Sequence, residues 1–174
     1  MDIFAHALWT AAAAKIASGK ASKPLRLRWA AFWGVFPDVF SFAIPAVVRI
    51  WWYATGTTHS LLPDAQSAPR FQFVWHLYHC SHSILVFAAV FGLVWAILGR
   101  PLLEMLGWAL HILIDILTHQ GMFSVHFLWP LSSYGFSGIR WEEPWFMAAN
   151  YGALSMVLAW TWIRHRRTAP HTTP

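Results

Sequence analysis

Three side chains on one helical stripe are the first residues in this sequence that could do chemistry. His111, Asp115 and His119 stand four residues apart in the otherwise largely apolar stretch from Gly107 to Gly121. Side chains at i and i+4 share a face of a helix. One stripe of a greasy helix therefore carries imidazole, carboxylate and imidazole, which are ligands for a borderline divalent cation. The plainer alternative is three polar groups satisfied one by one by neighbouring helices.

Other candidates lie in separate apolar stretches. Asp38 follows Pro37 inside the run from Leu27 to Tyr53. A carboxylate there is costly unless it has a partner, so it reads as functional, with pairing to Arg49 as the plainer account. Proline removes a backbone donor and clashes one turn back, so the helix is expected to bend or unwind beside Asp38. His6 sits near the start of the first apolar run. His76, His79 and His82 lead into the run that ends at Leu98. His82 lies deepest and ranks first as a ligand, His79 second. His59, in the loop from Ala54 to Phe73, reads as a rim histidine. Glu142 and Glu143 precede Pro144 and read as charge at a helix N-terminus, with a ligand or base role as runner-up.

The elements that must position these groups are membrane segments. Of 174 residues, 57% are hydrophobic and 11% charged, with 13 Trp and 13 Phe. A soluble domain carries about 25% charged residues. We expect an all-α, polytopic membrane bundle of about five hydrophobic segments: Ile3–Ala17, Leu27–Tyr53, Phe73–Leu98, Pro101–Phe123 and Trp145–Ile163. Residues 1–167 form one membrane-embedded domain, and 168–174 a flexible tail. Asp2 and His6 make the first run a poor signal peptide, so it is kept as a structural helix. The single cysteine, Cys80, excludes an internal disulfide.

The net charge of +5 does not indicate nucleic acid, because the basic residues cluster in particular loops. With five segments, one side receives Lys15, Lys20, Lys23, Arg26, Arg28, Arg100, Arg164, Arg166 and Arg167. The other receives Arg49, Arg70 and Arg140. The positive-inside rule then puts the N-terminus outside and the C-terminus in the cytoplasm. On that topology His6, Asp38, His82, His111, Asp115 and His119 all fall in the outer half of the bilayer.

Six candidate ligands exceed the four of a structural site. They suit one catalytic ion with an open position, or two ions sharing a carboxylate. Zn²⁺ fits best, with Mn²⁺ or Fe²⁺ as alternatives. Asp38 is the expected base or bridging ligand, and Asp115 the second carboxylate in the catalytic set.

The ordered motifs Met1-Asp2-Ile3-Phe4-Ala5-His6, Phe36-Pro37-Asp38, Ser81-His82-Ser83, His111-x-x-x-Asp115-x-x-Thr118 and Trp129-Pro130-Leu131 resemble those of the bacterial inner-membrane metal-dependent hydrolases of the YdjM type. That family looks distantly similar to the helical zinc phospholipases C and P1-type nucleases, whose His and Asp residues hold a zinc cluster. The resemblance implies a reduced phospholipase C-like core with His6, Asp38, His82, His111 and Asp115 as metal ligands, and His119 as a further one. Two departures stand out. Ser81 replaces the usual Thr before His82, while Thr58-His59-Ser60 matches that triplet literally. The soluble relatives also use the chain's own amino group as a ligand, and Met1 here argues against an intact three-ion cluster.

The function expected is a membrane-embedded hydrolase that cleaves a phosphoester of a phospholipid or lipid-linked substrate at the outer face of the inner membrane. The alternatives are a metal or proton transporter using the same cluster and a non-catalytic scaffold subunit. A transporter needs a polar path onward to the cytoplasm, and a scaffold tolerates loss of metal.

Overall fold

The computed structural model describes residues 1–19, 23–60 and 72–168, with side chains to Arg164. Among these residues there are six α-helices and no strand. They are α1 (Ile3–Ser18), α2 (Leu27–Ala54), α3 (Phe73–Ser81), α4 (Ile84–Leu98), α5 (Leu106–Thr118) and α6 (Pro144–Thr168).

Local sequence sets most of the boundaries. Asp2 caps α1, its Oδ1 accepting from the backbone N–H groups of Phe4 at 3.1 Å and Ala5 at 3.0 Å. α4 stops at Gly99, whose φ of 64° reverses the chain before Pro101. Pro144 opens α6 as a first-turn proline, and Glu143 just before it accepts from Met147 N–H at 3.0 Å.

Three expectations are corrected. The five spanning segments do not appear as such. Among the described residues two helices, α2 and α6, are long and apolar enough to cross a membrane, or three spans if the pair α3 and α4 counts as one. α1 has 16 residues and α5 has 13, which gives roughly 24 and 20 Å against a hydrocarbon core of about 30 Å. The segment Phe73–Leu98 is not one helix either. It breaks at His82 and Ser83, and its halves meet at 64°. The cause is local: Ser83 leaves the helical conformation and caps α4, its Oγ accepting from Leu85 and Val86 N–H. Finally, α2 runs unbroken through Pro37 and Pro45. The carbonyls near Pro37 take side-chain donors: Ser41 Oγ donates to Pro37 O at 2.8 Å, and Ser81 Oγ at 3.2 Å. Of the expected tail, residues 169–174 lie outside the described residues, as do residues 61–71 of the loop containing His59.

α2 is the central post, packed against α1, α3 and α5. Two glycines let its neighbours approach. A Cβ on Gly34 would run into the side chain of Thr10 on α1, and one on Gly107 of α5 into the Ala30 carbonyl. α1, α2 and α5 are thereby drawn close along the faces that bear His6, Asp38, His111 and Asp115. Beside this seam, Tyr78, Phe87, Met105, Trp108 and Ile112 form the apolar core.

This packing makes a paired prediction. Gly34→Ala should cost about 1–3 kcal/mol through overpacking. Gly92→Ala on α4, where the added methyl meets open space, should be neutral or stabilising by about 0.4–1 kcal/mol. Thermal unfolding in detergent, followed by helical circular dichroism, should show a lowered midpoint for the first variant only.

Candidate metal centre

The stripe on α5 meets three other parts of the chain. His111 and Asp115 come from its middle, and His119 follows its last residue. α1 brings His6 and the Met1 amino group. α2 brings Asp38, and the break between α3 and α4 brings His82. His6, His82, His111 and Asp115 are at most 1% exposed, while Asp38 is 20% and His119 12% exposed. All six candidates from the sequence converge here.

Asp115 is the hub. Its Oδ2 lies 3.1 Å from His111 Nε2 and 3.5 Å from His82 Nε2. Its Oδ1 lies 2.9 Å from His6 Nε2, 3.2 Å from His119 Nδ1 and 2.8 Å from the Met1 amino nitrogen. Asp38 Oδ1 completes the first group, 3.6 Å from His82 Nε2 and 3.7 Å from His111 Nε2. One ligand atom from each of Asp38, His82, His111 and Asp115 lies within 4.8 Å of all the others.

The tautomers decide what this group needs. His111 Nδ1 lies 2.7 Å from the Gly34 carbonyl, and His82 Nδ1 lies 3.0 Å from the Tyr78 carbonyl. A carbonyl only accepts, so His111 Nδ1 carries the ring proton, and His82 Nδ1 does so when Ser81 Oγ, 2.9 Å away, gives its own proton to Pro37 O. The two Nε2 atoms, 3.1 Å apart, then face each other as lone pairs with two carboxylates beside them. Four acceptors converge with no proton between them, so an extra proton or a cation must sit among them. Backbone carbonyls that hold imidazoles by Nδ1 are the usual outer partners of metal-binding histidines. His6 Nε2 and His119 Nδ1 add to this. Both are close to Asp115 Oδ1, yet neither has hydrogen-bond geometry to any acceptor. The donor set therefore fits a divalent cation.

The supporting residues were less legible. Tyr78 stacks on His82 with ring centroids 3.9 Å apart, and its hydroxyl donates to Phe123 O at 2.8 Å. Trp108 Nε1 donates to Ser81 O at 2.5 Å, fixing the end of α3 just before His82. The Met1 amino group, which the sequence argument set aside, reaches Asp115. No residue type signals a backbone nitrogen, so only the position of His6 near the chain start could have pointed to it.

The remaining candidates lie elsewhere. His59 is exposed. His79 is turned away by the end of α3 and stacks on His126, centroids 4.3 Å apart. Arg49 donates to Ser60 O at 2.7 Å. Glu142 pairs with Arg140 at 2.8 Å on the surface, and its own backbone N–H followed by Arg140 holds its carboxyl below the ordinary range.

The chain matches the family described as YdjM inner membrane protein over residues 1–171, and it belongs to that family. No curated protein and no solved structure matches it. Family and long apolar helices together make it a multi-pass inner-membrane protein with a buried cluster able to hold a metal.

Removing the hub should empty the centre. Purified Asp115→Ala and His82→Ala should each lose most of the divalent ion measured by elemental analysis, since each removes one of four converging ligands. His59→Ala and His79→Ala should keep wild-type content. Loss of metal in His59→Ala with full content in His82→Ala would reverse the choice between the two triplets.

Proposed function

We propose that this member of the YdjM family is a metal-dependent hydrolase that cleaves a phosphoester of a phospholipid or lipid-linked substrate at the outer face of the membrane. The observation that carries this reading is where the cluster opens. Asp38, His119, Asp2 and Met1 line a cleft of about 550 Å³ together with Ile3, Val39, Phe42, Ala43 and Tyr78. A largely apolar cleft with candidate ligands in its lining suits a charged headgroup carried on a lipid.

Zn²⁺ is the preferred ion, with Mn²⁺ or Fe²⁺ as alternatives. Asp38, His82, His111 and Asp115 would hold one ion. His6, His119, the Met1 amino group and the other oxygen of Asp115 have the composition of a second position. Bound there, the ion would polarise a phosphoryl oxygen and lower the pKa of water. The two carboxylates divide the labour. Asp115 is buried, its Oδ1 held by the Met1 amino group and its Oδ2 facing His111 and His82, so it would hold and orient the ions. Asp38 is the carboxylate exposed to the cleft, and it is placed to take a proton from the attacking water. The resemblance to zinc phospholipases C and P1-type nucleases belongs with this reading and rests on the shared His and Asp donor set.

Orientation follows from charge. Arg26 at the start of α2 and Arg100 after α4 line one small pocket with Trp29, Trp33 and Glu104, so the basic ends gather on one side. That side would be cytoplasmic. Asp38 stands about 16 Å along α2 from Leu27, near the middle of the helix. A transporter would need a polar route through the intervening layer. Ala12, Ala14 and Ala30 are buried there with Thr10, whose hydroxyl already donates to the carbonyls of His6 and Ala7.

Release of a phosphorylated headgroup or of phosphate from a mixed lipid extract tests the proposal. Asp38→Asn should insert normally and lose about 10²–10⁴-fold of the rate. Glu142→Gln should keep most of it, and chelator should abolish turnover in both. Wild-type rates in Asp38→Asn, or turnover that ignores chelator, would contradict the mechanism.

A further inference from the structure

A second cleft begins where the metal centre ends. α5 and α6 both pack on α1 but have little contact with each other. Between them lies a groove of about 620 Å³, walled by Trp9 and Ala13 of α1, Ile114 and Leu117 of α5, and Phe146 and Asn150 of α6. Met1 and Thr118 line it as well, and the same two residues touch Asp115 through the Met1 amino group and Thr118 Oγ1. Groove and centre are therefore neighbours, with Met1 and Thr118 between them.

The wall is apolar except at Asn150. Trp9 Nε1 donates to Asn150 Oδ1 at 2.9 Å. An indole N–H only donates, so this bond fixes which end of the amide is oxygen. Asn150 Nδ2 is left as a buried donor without an acceptor. An unmet buried donor costs more than a hydrogen bond gains, so an acceptor belongs there. Water is poorly suited to that role, because its remaining bonds would face aliphatic walls. Depth is informative too. Tyr151, the next residue, donates to Asp2 Oδ1 at 2.9 Å, so Asn150 lies level with the start of α1. Trp9 is three residues from His6, about 4.5 Å of rise.

We propose that the groove holds one acyl chain of an ester-linked phospholipid, with Asn150 Nδ2 donating to the ester carbonyl and the phosphate directed toward Asp38 and Asp115. The assignment rests on the lipid phosphoester reading above and narrows it. An ester lies a few bonds from the phosphate of a glycerophospholipid, and Asn150 is bonded to Trp9, on the same helix as His6. A polyprenyl phosphate has a chain and a phosphate but no carbonyl, and would leave the donor unmet. From Leu110 to Thr118 the groove follows about 12 Å of α5, enough for much of one acyl chain, and the small side chains of Ala12 and Ala13 keep it open.

The test uses the full chain, stripped of metal by chelator so that nothing turns over, in nanodiscs of equal parts dioleoyl phosphatidylethanolamine, its dialkyl ether analogue and a polyprenyl phosphate. Lipid retained after transfer to detergent is read by native mass spectrometry. Wild type should retain the ester lipid over the ether lipid by about five- to tenfold, the worth of one hydrogen bond. Asn150→Leu should lose that preference. Ala13→Phe should lose retention, while Leu93→Phe, at an exposed position of α4, should keep it. Equal retention of ester and ether lipids by wild type, preferred retention of the polyprenyl phosphate, or full retention by Ala13→Phe would overturn the assignment. Selective retention without hydrolysis in the metal-loaded protein would instead count against the hydrolase reading alone.

Discussion

Everything around the centre answers to the carboxylate of Asp115. A charged group in the apolar interior of a helical bundle must be met by counter-charge or donors, because its desolvation costs several kcal/mol even after relaxation. Here three histidines and the Met1 amino group stand within 3.2 Å of its two oxygens, with His82 slightly farther. They come from the middle and the C-terminal end of α5, the start of α1 and the break after α3. The bundle is therefore organised to converge on one buried point, and that point carries more acceptors than protons.

Backbone features make the convergence possible. Gly34 and Gly107 allow α1, α2 and α5 to approach more closely than side chains would permit. Pro37 does not break α2. Its carbonyl receives Ser41 and Ser81, and the Gly34 carbonyl one turn earlier receives His111. The same stretch of α2 therefore supplies the Asp38 carboxylate, the acceptor that sets one imidazole tautomer and the space for α1. Ser83 ends α3 and starts α4, so His82 sits at a corner rather than on a helix face.

Much of the centre was legible because its signals are local. His111 and Asp115 share a stripe through helical period alone, and Asp38 announces itself as a lone carboxylate in an apolar run. His82 was chosen over His59 by depth, and the structure buries His82 and exposes His59. The break inside Phe73–Leu98 was harder to see. Its apolar run continues past the corner, and a serine cap looks like any serine in sequence. Counting five spans failed for a related reason: apolar runs such as α1 and α5 make helices shorter than the hydrocarbon core and need not cross the bilayer. The groove beside α6 was invisible, since it arises from two helices that do not meet.

X-ray absorption at the metal edge of protein purified without chelator tests the central claim most directly. The account predicts a divalent ion with a mixed shell of nitrogen and oxygen at about 2.0–2.2 Å, including the scattering of at least two imidazoles. A metal-free preparation that is fully folded and active, or an ion ringed by oxygen alone without imidazole, would contradict it.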